Sequence, residues 1–255
     1  MKIAVCVKNA IDETELKIDS GGRPVLTGAV TRISTFDKNA VEEGLRLKAA
    51  HQGEVVVFTV GPPDSKKTMK EALAMGVDKG VLVRGDPTAV DTMRTAGMLS
   101  AAIKKSGPFD VVLCSEGSSD TYSGQVPPML GEMTGAAFVS YARKIEVNGQ
   151  IARVERSLED SVEVVEAPLP LVASVVSEIN EPRYPTLIQI MQAGKKPIEE
   201  LNGDQLSPVG AYKQAATATM SAQQSARKHV MIDGSPDEAA AKLVDALTKE
   251  GVLSK

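Results

Sequence analysis

Four short apolar runs rich in β-branched residues, at 2–8, 54–60, 80–83 and 110–114, alternate with stretches of helical periodicity at 37–50, 65–75 and 88–105. An apolar run this short reads as a strand buried on both faces, and parallel strands need a crossover element between them. The alternation therefore predicts an α/β fold, with a mostly parallel sheet carrying helices on both faces. Within 37–50, Ala40, Val41, Gly44, Leu45 and Leu47 form an apolar stripe against Lys38, Glu42, Glu43, Arg46 and Lys48, so those charges are expected to face solvent. Ser65 or Asp64 is expected to cap the helix after the rigid Gly61-Pro62-Pro63 turn. Asn148-Gly149 predicts a hairpin across 146–153, because a tight turn demands positive φ.

The character of the chain changes after Leu201. Residues 203–224 are rich in Ala, Ser, Thr, Gln and Gly and read as an extended arm. Ser235-Pro236-Asp237-Glu238 then starts a helix, with a capping serine, proline at the first position and acids in the first turn, ending near Gly251. The expected division is an α/β domain at 1–200 and a C-terminal arm and helix at 201–255.

Several function classes are disfavoured. A net charge of -4 and 3% aromatic residues argue against nucleic-acid binding. Cys6 and Cys114 each lie in an apolar run, the setting of buried reduced thiols rather than a disulfide or metal site. His51 and His229 are isolated, so neither a zinc site nor a nucleophilic triad is expected, and no metal is called for. Glu159 and Asp160 are adjacent, and on a strand they would point to opposite faces. The chain lacks a Gly-x-x-x-x-Gly-Lys-Ser/Thr loop, which disfavours ATP hydrolysis. No stretch has the ~20 apolar residues of a membrane span, and the N-terminus enters a strand without a signal-peptide pattern, so a cytoplasmic protein is expected.

Two segments stand out as candidate sites. Residues 114–126, from Cys114 to Val126, form a polar, glycine-containing loop at the carboxyl end of an expected strand, where open parallel sheets bind nucleotides. Its backbone N–H groups and the following helix N-terminus would favour a phosphate, while Ser, Thr and Gln side chains would hold ribose and base. On the residues alone, an ordinary polar surface loop fits equally well. In Glu178-Ile179-Asn180-Glu181-Pro182-Arg183-Tyr184-Pro185-Thr186-Leu187, two prolines stiffen the backbone before a leucine. This reads either as a docking segment or as a stiff connector leading into a core-facing helix start at Leu187, Ile188, Ile190 and Met191.

The second segment, together with residues 154–165 (Val-Glu-Arg-Ser-Leu-Glu-Asp-Ser-Val-Glu-Val-Val) and 168–173 (Pro-Leu-Pro-Leu-Val-Ala), resembles the signature region of the electron transfer flavoprotein beta subunit. Val5-Cys6-Val7-Lys8, Phe36-Asp37, Ala40-Val41-Glu42-Glu43, Gly61-Pro62 and Ala72-Leu73-Ala74-Met75-Gly76 extend the likeness over nearly the whole chain. Ser161, Ala173 and Ser34-Thr35 depart from the usual family residues.

The resemblance implies a Rossmann-like fold of the adenine-nucleotide alpha hydrolase kind, and an electron carrier without catalytic residues of its own. FAD would be shared with an alpha subunit that holds most of it, with Phe36 and Glu13 near the flavin edge. AMP or a second FAD would occupy a beta-subunit site made by Cys6, Ser34, Thr35, Phe36, Asp37 and Val60. The loop Ser115, Glu116, Gly117, Ser118, Ser119, Asp120, Thr121, Tyr122, Ser123, Gly124 and Gln125 would complete it. Gly61-Pro62-Pro63 and Asp91-Thr92 resemble electron-bifurcating relatives with a second FAD, whereas 116–121 lacks their Ala-Ile-Asp-Gly-Asp-Thr loop.

Partner dehydrogenases would dock on 178–197 through Pro182, Arg183, Tyr184, Leu187, Ile188, Met191 and Lys195, with Leu187 as the anchor. Lys195-Lys196 would add long-range attraction. A quinone-linked or other acceptor would take the electrons, and 201–255 would contact the alpha subunit, although on the residues alone packing on its own domain fits nearly as well. The rival class is a stand-alone nucleotide-binding regulatory protein.

Overall fold

In the computed structural model, residues 1–85, 91–206, 220–221 and 229–253 are described. The chain divides into two compact units, 1–220 and 221–255. The first unit runs β1 (Lys2–Cys6), β2 (Asn9–Ile11), β3 (Thr31–Ile33), α1 (Thr35–His51), β4 (Glu54–Gly61), α2 (Lys66–Met75), β5 (Lys79–Arg84) and α3 (Thr92–Lys105). It continues with β6 (Val111–Ser115), α4 (Val126–Thr134), β7 (Ala137–Asn148), β8 (Ile151–Ser157), β9 (Val162–Pro168), β10 (Leu171–Val175), α5 (Leu187–Ala193), β11 (Ile198–Asn202) and the short α6 (Gly203–Leu206).

Among the described residues, nine strands form one sheet in the order β11-β5-β4-β1-β6-β10-β7-β8-β9, and β2-β3 form a small antiparallel pair. Neighbours from β11 to β7 are parallel, and β8 and β9 add on antiparallel. The parallel part is buried on both faces, as its continuous apolar runs require. Ile3, Val5 and Val7 lie in one core with Val41, Leu45, Met69 and Leu73 of α1 and α2. Ala4 and Cys6 lie in the other, with Met98, Leu99 and Ile103 of α3 and Leu130 of α4.

The antiparallel extension alternates instead. Ile145, Val147, Ala152, Val154 and Ala167 are buried, while Lys144, Glu146 and Arg153 between them are exposed and form ion pairs. The Asn148-Gly149 turn joins β7 to β8 as expected, with Gly149 at φ 61. Glu159 and Asp160 are exposed in the β8–β9 connection, closed by the Leu158 N–H bond to Ser161 O, and are not strand residues.

Two other expectations change. Glu42 and Glu43 of α1 are 4% and 6% exposed, so they are not part of a solvated face. Neither Ser65 nor Asp64 caps α2 with a side chain; a 3-10 turn at Pro63–Ser65 leads into it instead. β11 and the β2–β3 pair carry too few apolar residues to announce themselves, and β11 is set by its parallel register on β5. The third expected helix is described from Thr92; its residues 88–90 lie outside the described residues, as does most of the expected 203–224 arm.

In the second unit, α7 (Pro236–Lys249) has the expected start: Ser235 accepts from Glu238 N–H in a capping box, with Pro236 at the first position. No helix among the described residues is long and apolar enough to cross a membrane.

Phe58 of β4 is fully buried, with its ring 5.6 Å from that of Phe109 in a T-shaped arrangement. Phe58→Ala should cost about 3–5 kcal/mol in urea unfolding of the full chain, and a loss below about 1 kcal/mol would show that this core collapses around the deletion.

Candidate functional site

β1 has β4 on one side and β6 on the other, so the chain order reverses between β1 and β6. Crevices outside the carboxyl ends of strands at such a reversal are where open α/β sheets bind ligands. Three segments meet there: the end of β1 into Lys8, the start of α1, and the 115–125 loop. Asp37 joins them, its carboxylate accepting from Lys8 N–H at 2.7 Å and lying 2.5 Å from Ser115 Oγ. Lys8 Nζ reaches across to Asp120 at 2.7 Å, Thr121 Oγ1 at 3.0 Å and Ser118 Oγ at 3.3 Å. Asp120 also accepts from Ile11 N–H at 3.2 Å, and Ser34 Oγ accepts from Ser119 N–H at 3.1 Å.

An aromatic pair borders the same loop. The Phe36 and Tyr122 rings are 5.4 Å apart at 66°. Tyr122 adopts φ 46 and packs its ring on Gly117, where a Cβ would come within 2.6 Å of it. On the far side, Thr92 Oγ1 donates to Gln125 Oε1 at 2.9 Å, which brings the start of α3 to the loop.

The buried acids here are tuned apart. Burial raises Asp37 from 3.8 to about 7, against the opposing pull of Lys8 and Ser115. Hydrogen counting explains why a proton is tolerated. Ser115 Oγ lies 2.8 Å from Gly117 O as well as 2.5 Å from Asp37, and a hydroxyl has one proton to give. With Asp37 protonated, Asp37 donates to Ser115 and Ser115 donates to Gly117 O; with Asp37 ionised, two acceptors compete for one proton. Burial also works to raise Asp120, but the Lys8 and Ser118 hydrogen bonds and the Lys8 charge outweigh it and hold the carboxyl below its usual range. Glu116 is pushed up by burial.

Lys8 Nζ, the Ser118 and Thr121 hydroxyls and the loop backbone thus lie together beside an aromatic pair, with the Lys8 and Ser118 donors engaged by Asp120. The expected phosphate site at the start of α4 is weaker than the loop pattern suggested, because Pro127 and Pro128 remove two of its first N–H groups. Ser34, Phe36, Asp37, Ser115, Gly117, Ser118, Ser119, Asp120, Thr121, Tyr122 and Gln125 are brought to one crevice. The Cys6 side chain is turned into the second core, where its hydrogen bond and burial push the Cys114 thiol well up. Val60 is half-buried and packs on that same core. Lys8 joins this cluster, and its signal in the sequence is a charged residue closing an apolar strand at a switch point.

The second candidate segment begins with a 3-10 turn at Ser177–Ile179 and ends in α5, whose Thr186 and Gln189 form a capping box. Leu187 and Met191 are 81% and 78% exposed, which excludes the core-facing reading; Tyr184, Ile188 and Ile190 are exposed too. Arg183 Nε and Nη2 donate to the Glu42 carboxylate at 2.7 and 2.9 Å. Burial works to raise Glu42, and Arg183 outweighs it, leaving the carboxyl below its usual range. Lys195 is exposed, whereas Lys196 donates to Leu73 O and Val77 O at 2.9 and 2.6 Å and is engaged within the chain.

Asp37→Asn should flatten one part of the stability profile. Between pH about 4 and about 7 the folded chain keeps a proton that the unfolded chain has released, so stability falls as pH rises through that window and levels off above it. Asparagine reproduces the protonated acid, and the gain at pH 8 relative to pH 4 should be on the order of 4 kcal/mol at most. Urea midpoints at the two pH values check this; identical pH slopes in both proteins would refute it.

Residues 25–206 match the model of the electron transfer flavoprotein domain. The chain is 33% identical to electron transfer flavoprotein subunit beta of Thermoanaerobacterium thermosaccharolyticum, over 99% of this chain and 100% of that protein. It is 34% identical to the protein of the same name from Clostridium acetobutylicum, over 98% and 99%. It is also 34% identical to caffeyl-CoA reductase-Etf complex subunit CarD of Acetobacterium woodii, over 81% and 80%. With that likeness running nearly end to end, the chain belongs to the electron transfer flavoprotein family, among its beta subunits.

Proposed function

We propose that this chain pairs with an alpha subunit in a heterodimeric electron transfer flavoprotein that takes electrons from dehydrogenases and passes them to a quinone-linked or other acceptor. The observation that carries this reading is the likeness to beta subunits over 99% of the chain. FAD, when bound between the subunits, supplies the redox chemistry, and the protein supplies position and electrostatics. This chain contributes the rigid sheet, with Phe36 at the flavin edge. Its C-terminal residues 201–255 contact the alpha subunit, for which α7 offers exposed Leu243 and Val244. Two free, buried thiols suit a cytoplasmic setting.

The crevice holds AMP. Lys8, Ser118 and Thr121 face the phosphate, the 115–125 backbone follows the nucleotide, and Phe36 and Tyr122 border it. A second reading puts a second FAD there, as in a bifurcating form; the Thr92–Gln125 hydrogen bond favours it, because it sets Asp91-Thr92 against the loop. Pro182, Tyr184, Leu187, Ile188 and Met191 form the surface that partner dehydrogenases grip, with Leu187 as anchor and Lys195 adding attraction. Arg183 holds this surface in place from behind.

Ligands released from the purified heterodimer and counted by mass spectrometry should give one FAD and one AMP; two FAD and no AMP would select the second reading, and no flavin would refute both. Leu187→Ala should raise the dehydrogenase KM for the heterodimer by about tenfold or more, as loss of an exposed anchor does, with flavin content and melting temperature unchanged. Unaltered partner kinetics would overturn the docking role.

A further inference from the structure

α5 has seven residues, Ala193 is its buried one, and its large apolar side chains point to solvent. A helix this short is not stable in isolation; this one lies along α2 and covers Ala193 there, while its large apolar side chains stay outside. Besides that contact, side-chain hydrogen bonds hold it at both flanks. Before it, Arg183 makes a two-pronged bond to Glu42, whose side chain is 5% exposed, and Arg183 N–H adds a third bond to Glu42 Oε2 at 3.2 Å. Asn180 strengthens that flank, donating to Asn39 O at 3.0 Å and Glu43 Oε2 at 3.1 Å while accepting from Asn39 Nδ2. After it, Lys196 is bonded to Leu73 O and Val77 O at the C-terminal end of α2, a place where a cation is favoured by the unpaired carbonyls.

These contacts have a consequence for docking. A segment already held in its outward-facing conformation loses little freedom when a partner closes on it, so affinity does not have to offset that ordering. The Arg183 fork also matches the planar carboxylate in a way a lysine does not. We propose that Arg183 and Lys196 are positioning residues for partner docking: they clamp the two ends of the α5 segment onto α1 and α2, so that the apolar side chains are presented preformed. This inference rests on the docking role given to Leu187 above.

The test uses the full heterodimer and a flavin dehydrogenase chosen because it reduces the unmodified heterodimer. The variants are Arg183→Met, Lys196→Met, Arg183→Lys and Leu187→Ala, with Glu42→Gln/Arg183→Met as the version that leaves no buried charge unpaired. Amide hydrogen exchange in 187–193 should accelerate by about tenfold or more in Arg183→Met, Lys196→Met and the double variant, with β1, β4 and β6 unchanged. The KM for the heterodimer should rise about fivefold to tenfold, with kcat at saturation unchanged, and Arg183→Lys should recover part of the loss. Unchanged exchange in 187–193 of the double variant, or faster exchange with an unchanged KM, overturns the clamp while Leu187→Ala still raises KM. A parallel fall in kcat and melting temperature assigns these residues to general stability and also overturns it. A silent Leu187→Ala removes the docking reading and this inference with it.

Discussion

Two-sided burial of β1, β4 and β6 is the constraint from which the rest of this molecule follows. A strand covered on both faces needs helices above and below it, and parallel neighbours need those helices as crossovers. With β1 in the centre, the chain builds outward to β4 and β5 before returning to β6. That return opens the crevice, and the same helices that cover the sheet bring their starts to its rim: α1 with Asp37, α3 with Thr92 and α4 with Gln125 just before it.

α1 links the two candidate regions. Its first turn sends Asp37 into the crevice, and its next turns send Asn39, Glu42 and Glu43 toward 177–183. Burying these acids is unfavourable unless each finds a partner. Glu42 has Arg183 and Arg46, Glu43 has Asn180, and Asp37 has Lys8 and Ser115. The carboxylates respond differently because their partners differ: Arg183 outweighs the burial of Glu42, whereas the neutral amide of Asn180 leaves Glu43 raised. One helix thus reaches the candidate crevice at its start and the 177–183 segment further along.

Much of this was legible from local pattern. The strands β1, β4, β5 and β6 coincide with the apolar runs, because a run buried on both faces needs no alternation to be recognised. The Asn148-Gly149 hairpin and the Ser235 capping box were legible because their geometry depends on a few neighbouring residues. The crevice loop was placed by its position after an apolar strand, and eleven of its residues and those near Ser34 do gather there. Lys8, Asn39, Glu42 and Glu43 escaped that kind of reading. Apart from Arg46 beside Glu42, their partners lie 29 to 141 positions away, and periodicity on a helix assigns charge to solvent by default.

From the order of residues alone came the α/β layering, the crevice loop and the stiff proline-flanked segment, since each rests on short-range backbone preference and on which residues avoid water. Only the folded chain decided that Leu187 and Met191 face outward, that Cys6 turns away from the crevice, and that Glu42 is sealed beneath Arg183. Those outcomes depend on which distant segments arrive at the same surface. Whether an apolar or charged side chain ends up covered is a property of the packed neighbours, not of the residue that carries it.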